Sequence, residues 1–348
     1  MIVEKEGSVK VQQGYMPQLD VLRAIAVALV IIQHWFYAFK IFRFLPEGEL
    51  GVKLFFVLSG YLITRILLDY KQRVLTGNMS MVQSLKKFYY RRFLRIFPIY
   101  YLLLFLLYLI YPSKISDSFV WHFFYLSNYF FYFINHGWGY VSHFWSLSVE
   151  EQFYIFWPFV ILLSKRKYLL GIIIGTTLLG ILFRATNFSH SYMYYILTPA
   201  CFDALGLGAL LALKYDWITT KIKTMSVTYF VTLLLSIGLI IYFHTLGKIV
   251  FNQIFLGLFI AIFSFLAVAK LSIGSKFHFI FENRILIFIG KISYGIYLYH
   301  NLIPFTYINH VHILFSYLLR IAVLLLVASA SYYIIERPFL KFKDLRYV

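Results

Sequence analysis

Ten apolar segments, each long enough to cross a bilayer and separated by short polar links, leave this chain few ways to fold. About 20 helical residues cover the roughly 30 Å of hydrocarbon in a membrane. Inside that layer every backbone N–H and C=O must find a partner within the protein, so a spanning segment of this length is a helix. The segments lie near 20–39, 50–69, 96–111, 149–164, 168–186, 192–213, 226–245, 249–269, 285–304 and 313–335. The expected fold is therefore all-α: a polytopic membrane protein of about ten transmembrane helices, organised as one domain over 1–348. An eleventh apolar stretch, 119–134, is interrupted by Ser127 and Asn128 and reads as interfacial or re-entrant.

Charge placement sets the expected orientation. The chain carries a formal charge of +18. Its basic residues sit in short runs between apolar segments, so they form no basic surface for nucleic acid. With the N-terminus inside and ten spans, the inside segments hold 22 of the 32 Lys and Arg, and the outside loops hold 4. That bias places both termini, 1–19 and 336–348, in the cytoplasm. Counting 119–134 as a span would invert everything after it and put the run Lys165-Arg166-Lys167 outside. No small-residue cleavage site follows the first apolar run, which reads as a retained span. The single cysteine, Cys201, excludes an internal disulfide and a cysteine-based metal cluster.

The stretch Asp20 to Trp35, DVLRAIAVALVIIQHW, carries two groups that a spanning helix should avoid, Arg23 and His34. They are eleven residues apart, almost three helical turns, so both project from one face with an axial separation of roughly 16 Å. Ionisable side chains inside a bilayer are costly and usually face a protein interior or an aqueous cavity. With the orientation above, Arg23 lies near the cytoplasmic end and His34 past mid-membrane, so a polar stripe runs most of the way across. An arginine snorkelling at one end and a histidine bonded to a neighbouring helix would also explain the pair.

Other polar groups sit at chemically suggestive places. Arg91, Arg92 and Arg95 precede the third span; on a helix, Arg91 and Arg95 share a face with Arg92 beside them, and Pro98 falls in the first turn of the next helix. Clustered guanidinium groups at a membrane entrance suit a polyphosphate, although they also anchor a protein on anionic lipid. Glu150 and Glu151 open the fourth span from the outside, between Trp145 and Trp157. Acids there favour the helix dipole, yet a carboxylate on the outer side could also bond the His34 imidazole and fix its tautomer. His143 is a second candidate partner or base. Ser59 and Gly60 suit close packing, as do Gly206 and Gly208, whereas Asp203 near mid-membrane is hard to explain by packing alone. His300 is expected in a polar interfacial role, and Glu336-Arg337-Pro338 in closing the last helix.

Taken together and in order, these blocks resemble the membrane-bound acyltransferase-3 family, which O-acylates bacterial surface glycans. Arg23 and His34 within LDVLRAIAVALVIIQH are similar to its Arg-(ten residues)-His signature. GVKLFFVLSGYLIT, RRFLRIFPIYY, HFWSLSVEEQFYIFWP, ISYGIYLYH and ERP resemble its further motifs, with Glu150 at the family's acid. One departure is Cys201, where many members carry an arginine about two residues before the sixth-helix acid. The resemblance implies the stand-alone form, without an appended extracellular hydrolase-like domain, in the bacterial cytoplasmic membrane. It implies acyl-CoA, usually acetyl-CoA, as co-substrate from the cytoplasm, no metal, and a glycan or undecaprenyl-linked glycan as acceptor on the outer side. In that scheme Arg23, Arg91, Arg92 and Arg95 hold the coenzyme phosphates. His34, oriented by Glu150, takes the proton of the sugar hydroxyl, or is itself acylated. Ser59, Trp145, Ser146, His143 and Asp203 are candidates for shaping the site or holding the oxyanion. A glycan or lipid flippase, or a proton-coupled transporter, would use similar intramembrane charges, but no repeat symmetry marks one here.

Overall fold

The computed structural model describes residues 15–37, 39, 45–187, 192–246, 250–273, 282–304 and 313–345. The segment 1–14, residues 40–44, the loop 305–312 and the last three residues lie outside the described residues, as does the central part of the segment 270–284. Every regular element among the described residues is helical: α1 Pro17–Trp35, α2 Glu47–Leu75, α3 Met81–Ile110, α4 Pro112–Phe123, α5 Ser127–Tyr129, α6 Trp145–Leu163, α7 Arg166–Asn187, α8 Phe202–Leu213, α9 Tyr215–Thr224, α10 Ser226–Thr245, α11 Val250–Ser272, α12 Arg284–Lys291, α13 Ser293–Tyr299, α14 Ile313–Ser331 and α15 Arg337–Leu345.

Among the described residues, seven helices are long and apolar enough to cross a membrane: α1, α2, α3, α7, α10, residues 254–272 of α11, and the continuous run 313–342. They correspond to seven of the ten expected spans. The other three do not meet that combined length and apolarity. The segment 149–164 is met by the continuous helix α6, whose N-terminal half carries the polar residues Ser146, Ser148, Glu150, Glu151 and Gln152. The segment 192–213 is broken: two 3-10 turns, Tyr192–Ile196 and Thr198–Cys201, precede the short α8. The segment 285–304 divides at Ile292 into α12 and α13. Broken helices are tolerated at membrane depth where neighbouring groups satisfy the freed backbone.

The third span is also longer than expected. Ser80 and Gln83 form a reciprocal capping box that starts α3 at Met81, so Pro98 lies inside a continuous 30-residue helix rather than in its first turn. The stretch 119–134 forms no single helix. α4 stops at Phe123, Tyr125 adopts a left-handed backbone (φ 54°), and α5 with a π turn, Phe130–Ile134, follows. Buried side chains tie this irregular piece down. Gln152 donates to the Tyr125 carbonyl at 2.7 Å and to Asn128 at 3.0 Å, and Asn128 donates to Thr198 at 3.0 Å.

α2 is the hub, packing on α1, α8, α11 and α6. Its contact with α8 is backbone on backbone. A Cβ at Gly60 would fall 2.1 Å from the Leu205 carbonyl oxygen, and one at Gly208 2.2 Å from that of Val57. Only glycine permits this approach, which matches the packing role expected of both residues. At the far end of α2, Lys71 donates to the carbonyls of Ile161, Leu162 and Ser164 at 3.0, 3.0 and 2.6 Å. These are carbonyls that the end of α6 cannot satisfy internally, and a cation there also favours the dipole.

Candidate active site

The first half of α1 and the second half of α2, with Arg91 of α3, border an open cavity of about 410 Å³. Arg23, Arg65, Arg73 and Arg91 line it, with Asp20, Asp69 and Tyr70. Arg65, Asp69 and Arg73 recur every four residues on α2 and so share one helical face. Arg23 is paired with Asp20, which also accepts from the Tyr15 hydroxyl at 2.6 Å, and Arg73 pairs with Asp69 at 2.9 Å. Four arginines against two aspartates leave the cavity positive.

The arginine triplet does not act as one cluster. Arg91 reaches the cavity. Arg92 lays its guanidinium over the Tyr154 ring at 5.0 Å and near Phe88 at 5.9 Å, where its charge also acts on Glu150 and Glu151. Arg95 lies close enough to Arg23 and Glu336 for their charges to interact.

Deeper in the bundle Glu150 meets two hydroxyls. Ser59 donates to it at 3.0 Å, and Tyr154, one turn along α6, donates to it at 2.5 Å. Tyr154 is also an electrostatic neighbour of Arg23, and Glu150 of Tyr297. The Tyr297 hydroxyl then meets Ser146 at 2.6 Å and donates to the His143 carbonyl at 2.9 Å. Successive polar neighbours thus connect the arginine-lined end of α1 to the opposite end of the same helix.

There three imidazoles gather. His34 Nδ1 and His300 Nε2 are 2.9 Å apart, and His300 Nδ1 faces the Tyr297 carbonyl at 2.7 Å. His143 meets the His300 ring edge-on at 4.7 Å; its Nε2 faces the Leu298 carbonyl at 3.2 Å and its Nδ1 the Asn301 amide at 3.2 Å. His300 and His143 are buried, whereas His34 is exposed. The Trp35 indole donates to the His300 carbonyl at 3.2 Å, and Arg320 of α14 stacks over that indole at 4.0 Å.

Glu150 is therefore not the partner of His34. Two hydroxyls hold it, and the group bonded to His34 is His300. His143 is held as a support, with both ring nitrogens engaged. Trp145 packs edge-on against Phe56 and Tyr195, and Ser146 is tied to Tyr297, so neither is arranged as a free donor at the imidazoles. Asp203 lies elsewhere, at the α2–α7–α8 junction. Lys53 donates to one of its oxygens at 2.9 Å and Arg184 forms an ion pair with the other at 2.8 Å, all three buried. Arg184 brings its guanidinium to Asp203 from α7.

Sequence reasoning missed Arg65, Arg73, Tyr154, Arg184 and the pairing of His300. The four-residue spacing of Arg65, Asp69 and Arg73 was a visible signal. A 266-residue separation gives no local sign that His34 and His300 meet.

The family model described as Acyltransferase domain matches residues 16–337. A Staphylococcus aureus (strain MSSA476) protein named "Putative O-acetyltransferase SAS0844" is 34% identical over 94% of this chain and 58% of its own length. The Listeria monocytogenes "Peptidoglycan O-acetyltransferase OatA" is 30% identical over 94% of this chain and 56% of its own. The chain thus spans a little over half the length of these curated relatives. No solved structure matches.

Proposed function

The chain belongs to the acyltransferase family whose model it matches, and on that footing we propose that it transfers an acetyl group from cytoplasmic acetyl-CoA to a hydroxyl of a cell-surface glycan. The names of the two relatives favour acetyl as the group and peptidoglycan as the glycan to test first. The proposed setting is the cytoplasmic membrane, with about ten membrane-crossing segments, some of them broken, and both termini inside.

The observation that carries this reading is the pairing of two sites at opposite ends of α1: a cavity rich in arginine around Arg23, and the exposed His34 imidazole. Guanidinium groups bind phosphate bidentately, and a volume of about 410 Å³ is of the size that holds a nucleotide-like group. Arg23, Arg65, Arg73 and Arg91 hold the phosphates of the coenzyme. Its pantetheine arm follows the polar neighbours along α1, and the roughly 16 Å from Arg23 to His34 is the distance it must cover. At the outer end His34 takes the proton of the acceptor hydroxyl as its oxygen attacks the thioester carbonyl. The C–O bond forms, the C–S bond breaks, and the proton passes from His34 to the departing thiolate. An acetyl-His34 intermediate would use the same geometry in two steps.

The test is purified protein with acetyl-CoA and soluble peptidoglycan fragments, read by mass spectrometry. A mass gain of one acetyl group on the fragments, lost with His34→Ala, is the expected result. Acetyl transfer undiminished by His34→Ala would overturn the base assignment.

A further inference from the structure

We propose that His300 sets the tautomer of His34 and so decides which ring nitrogen acts as the base, a role that rests on His34 being that base. The geometry runs in one direction. A carbonyl can only accept, so the Tyr297 carbonyl, 2.7 Å from His300 Nδ1, requires the proton of His300 on that nitrogen. A neutral His300 then has a bare Nε2, and that atom faces His34 Nδ1 at 2.9 Å. His34 Nδ1 therefore carries a proton and donates it. His34 Nε2 is left with its lone pair, on the one imidazole of the three that is exposed.

Three features keep His300 in this state. Its own carbonyl is held by the Trp35 indole at 3.2 Å, next to His34 in sequence, so base and partner are tied at two points. His143 closes on its ring at 4.7 Å and cannot compete for its nitrogens, because Leu298 and Asn301 occupy those of His143. Among the described residues, the side chains whose charges act most strongly on His300 are His143, His34 and Arg320, none of them a carboxylate, so no acid there favours a second proton on His300.

The chemical consequence concerns where the proton rests. When His34 Nε2 takes the acceptor's proton, the imidazolium keeps its Nδ1–H bond to His300. His300 cannot pass its own proton onward, since the Tyr297 carbonyl is too weak a base to accept it. The transferred proton therefore stays on His34 Nε2, facing the reacting atoms, until the thiolate collects it. A neutral partner also orients the base without burying a second full charge beside it.

The experiment combines one measurement on the unaltered protein with two variants. In the protein labelled with 15N-histidine and held in lipid nanodiscs, nitrogen NMR above the titration range distinguishes protonated from bare ring nitrogens. His34 should be protonated at Nδ1 and bare at Nε2, and His300 protonated at Nδ1; a proton on His34 Nε2 overturns the proposal. His300→Phe keeps the ring volume and removes the acceptor. It should lower kcat for acetyl transfer to peptidoglycan fragments by about 10²-fold or more, with the KM for acetyl-CoA within about 3-fold. His300→Gln offers an amide oxygen to His34 Nδ1–H and should recover most of that loss. Equal damage from Phe and Gln, or full kcat in His300→Phe, would also overturn it. His34→Ala is measured alongside. If it stays active, the base assignment itself falls; if it is inactive while His300→Phe is normal, only the role of His300 falls.

Discussion

Replacing Arg91 and Arg92 one at a time separates two jobs that adjacent arginines would otherwise seem to share. Arg91 lines the inner cavity with Arg23, Arg65 and Arg73 against Asp20 and Asp69, so four positive and two negative groups leave an excess of two. Arg91→Ala halves that excess and removes a charge-assisted contact to phosphate, worth about 1.5–3 kcal/mol. At about 1.4 kcal/mol per tenfold, the Kd for acetyl-CoA should rise roughly 10- to 150-fold. Arg92 instead lies over Tyr154, beside Glu150. Arg92→Ala should leave the Kd within about 3-fold and lower kcat, because it disturbs the polar groups between the cavity and His34. Calorimetric titration of acetyl-CoA into protein in nanodiscs measures the first effect and steady-state acetyl transfer the second. The remaining attraction in Arg91→Ala should weaken further between about 0.1 M and about 1 M salt, where the screening length falls from about 10 Å to about 3 Å. An unchanged Kd in Arg91→Ala, or a larger rise in Arg92→Ala, would refute the division.

Three further outcomes follow from particular contacts. Glu150→Gln keeps an acceptor for Ser59 and Tyr154, so transfer should fall by no more than about 10-fold; a loss of ~10³-fold would return Glu150 to the reacting groups. Asp203→Asn strips the charge that Lys53 and Arg184 share in the core, and breaking such a buried pair costs about 3–5 kcal/mol. Thermal unfolding in detergent should show a clear drop in midpoint for this variant, and an unchanged midpoint would contradict the clasp. In a Cys201→Ala background, a cysteine at Lys114 should react with an impermeant maleimide added outside intact cells, and one at Arg166 should not. The reverse pattern would invert the proposed orientation.

Much of the scaffold could be read from residue pattern because lipid leaves an apolar run of 20 residues one stable conformation. Seven spans were accessible that way. The helix over 149–164 was legible too, but the breaks in the other two were not, because an apolar run looks alike whether it forms one helix or two. The turns before Phe202 are held by a long-range contact, Asn128 on Thr198, that leaves no local mark. The same distinction governs the site. Arg23 and His34 share one helix, so their spacing alone set them on one face. Glu150 was expected beside His34 because charge counting put both towards the outer side, but depth does not fix direction around a helix. On α6, Glu150 turns to Ser59 of α2 and to Tyr154, and the position beside His34 is filled from α13's end by His300. Asp203 was conspicuous as an acid in an apolar stretch, and its partners, from α2 and α7, make it a clasp between helices.

The most direct test of the whole account uses sealed inside-out membrane vesicles with peptidoglycan fragments enclosed and radiolabelled acetyl-CoA added outside. The cytoplasmic face is then accessible to the donor, and the acceptor is confined to the face near His34. The account predicts that label accumulates on the enclosed fragments with the native protein and not with His34→Ala. Label that appears only when donor and acceptor share one side of the membrane would contradict a passage linking the arginine-lined cavity to the histidine.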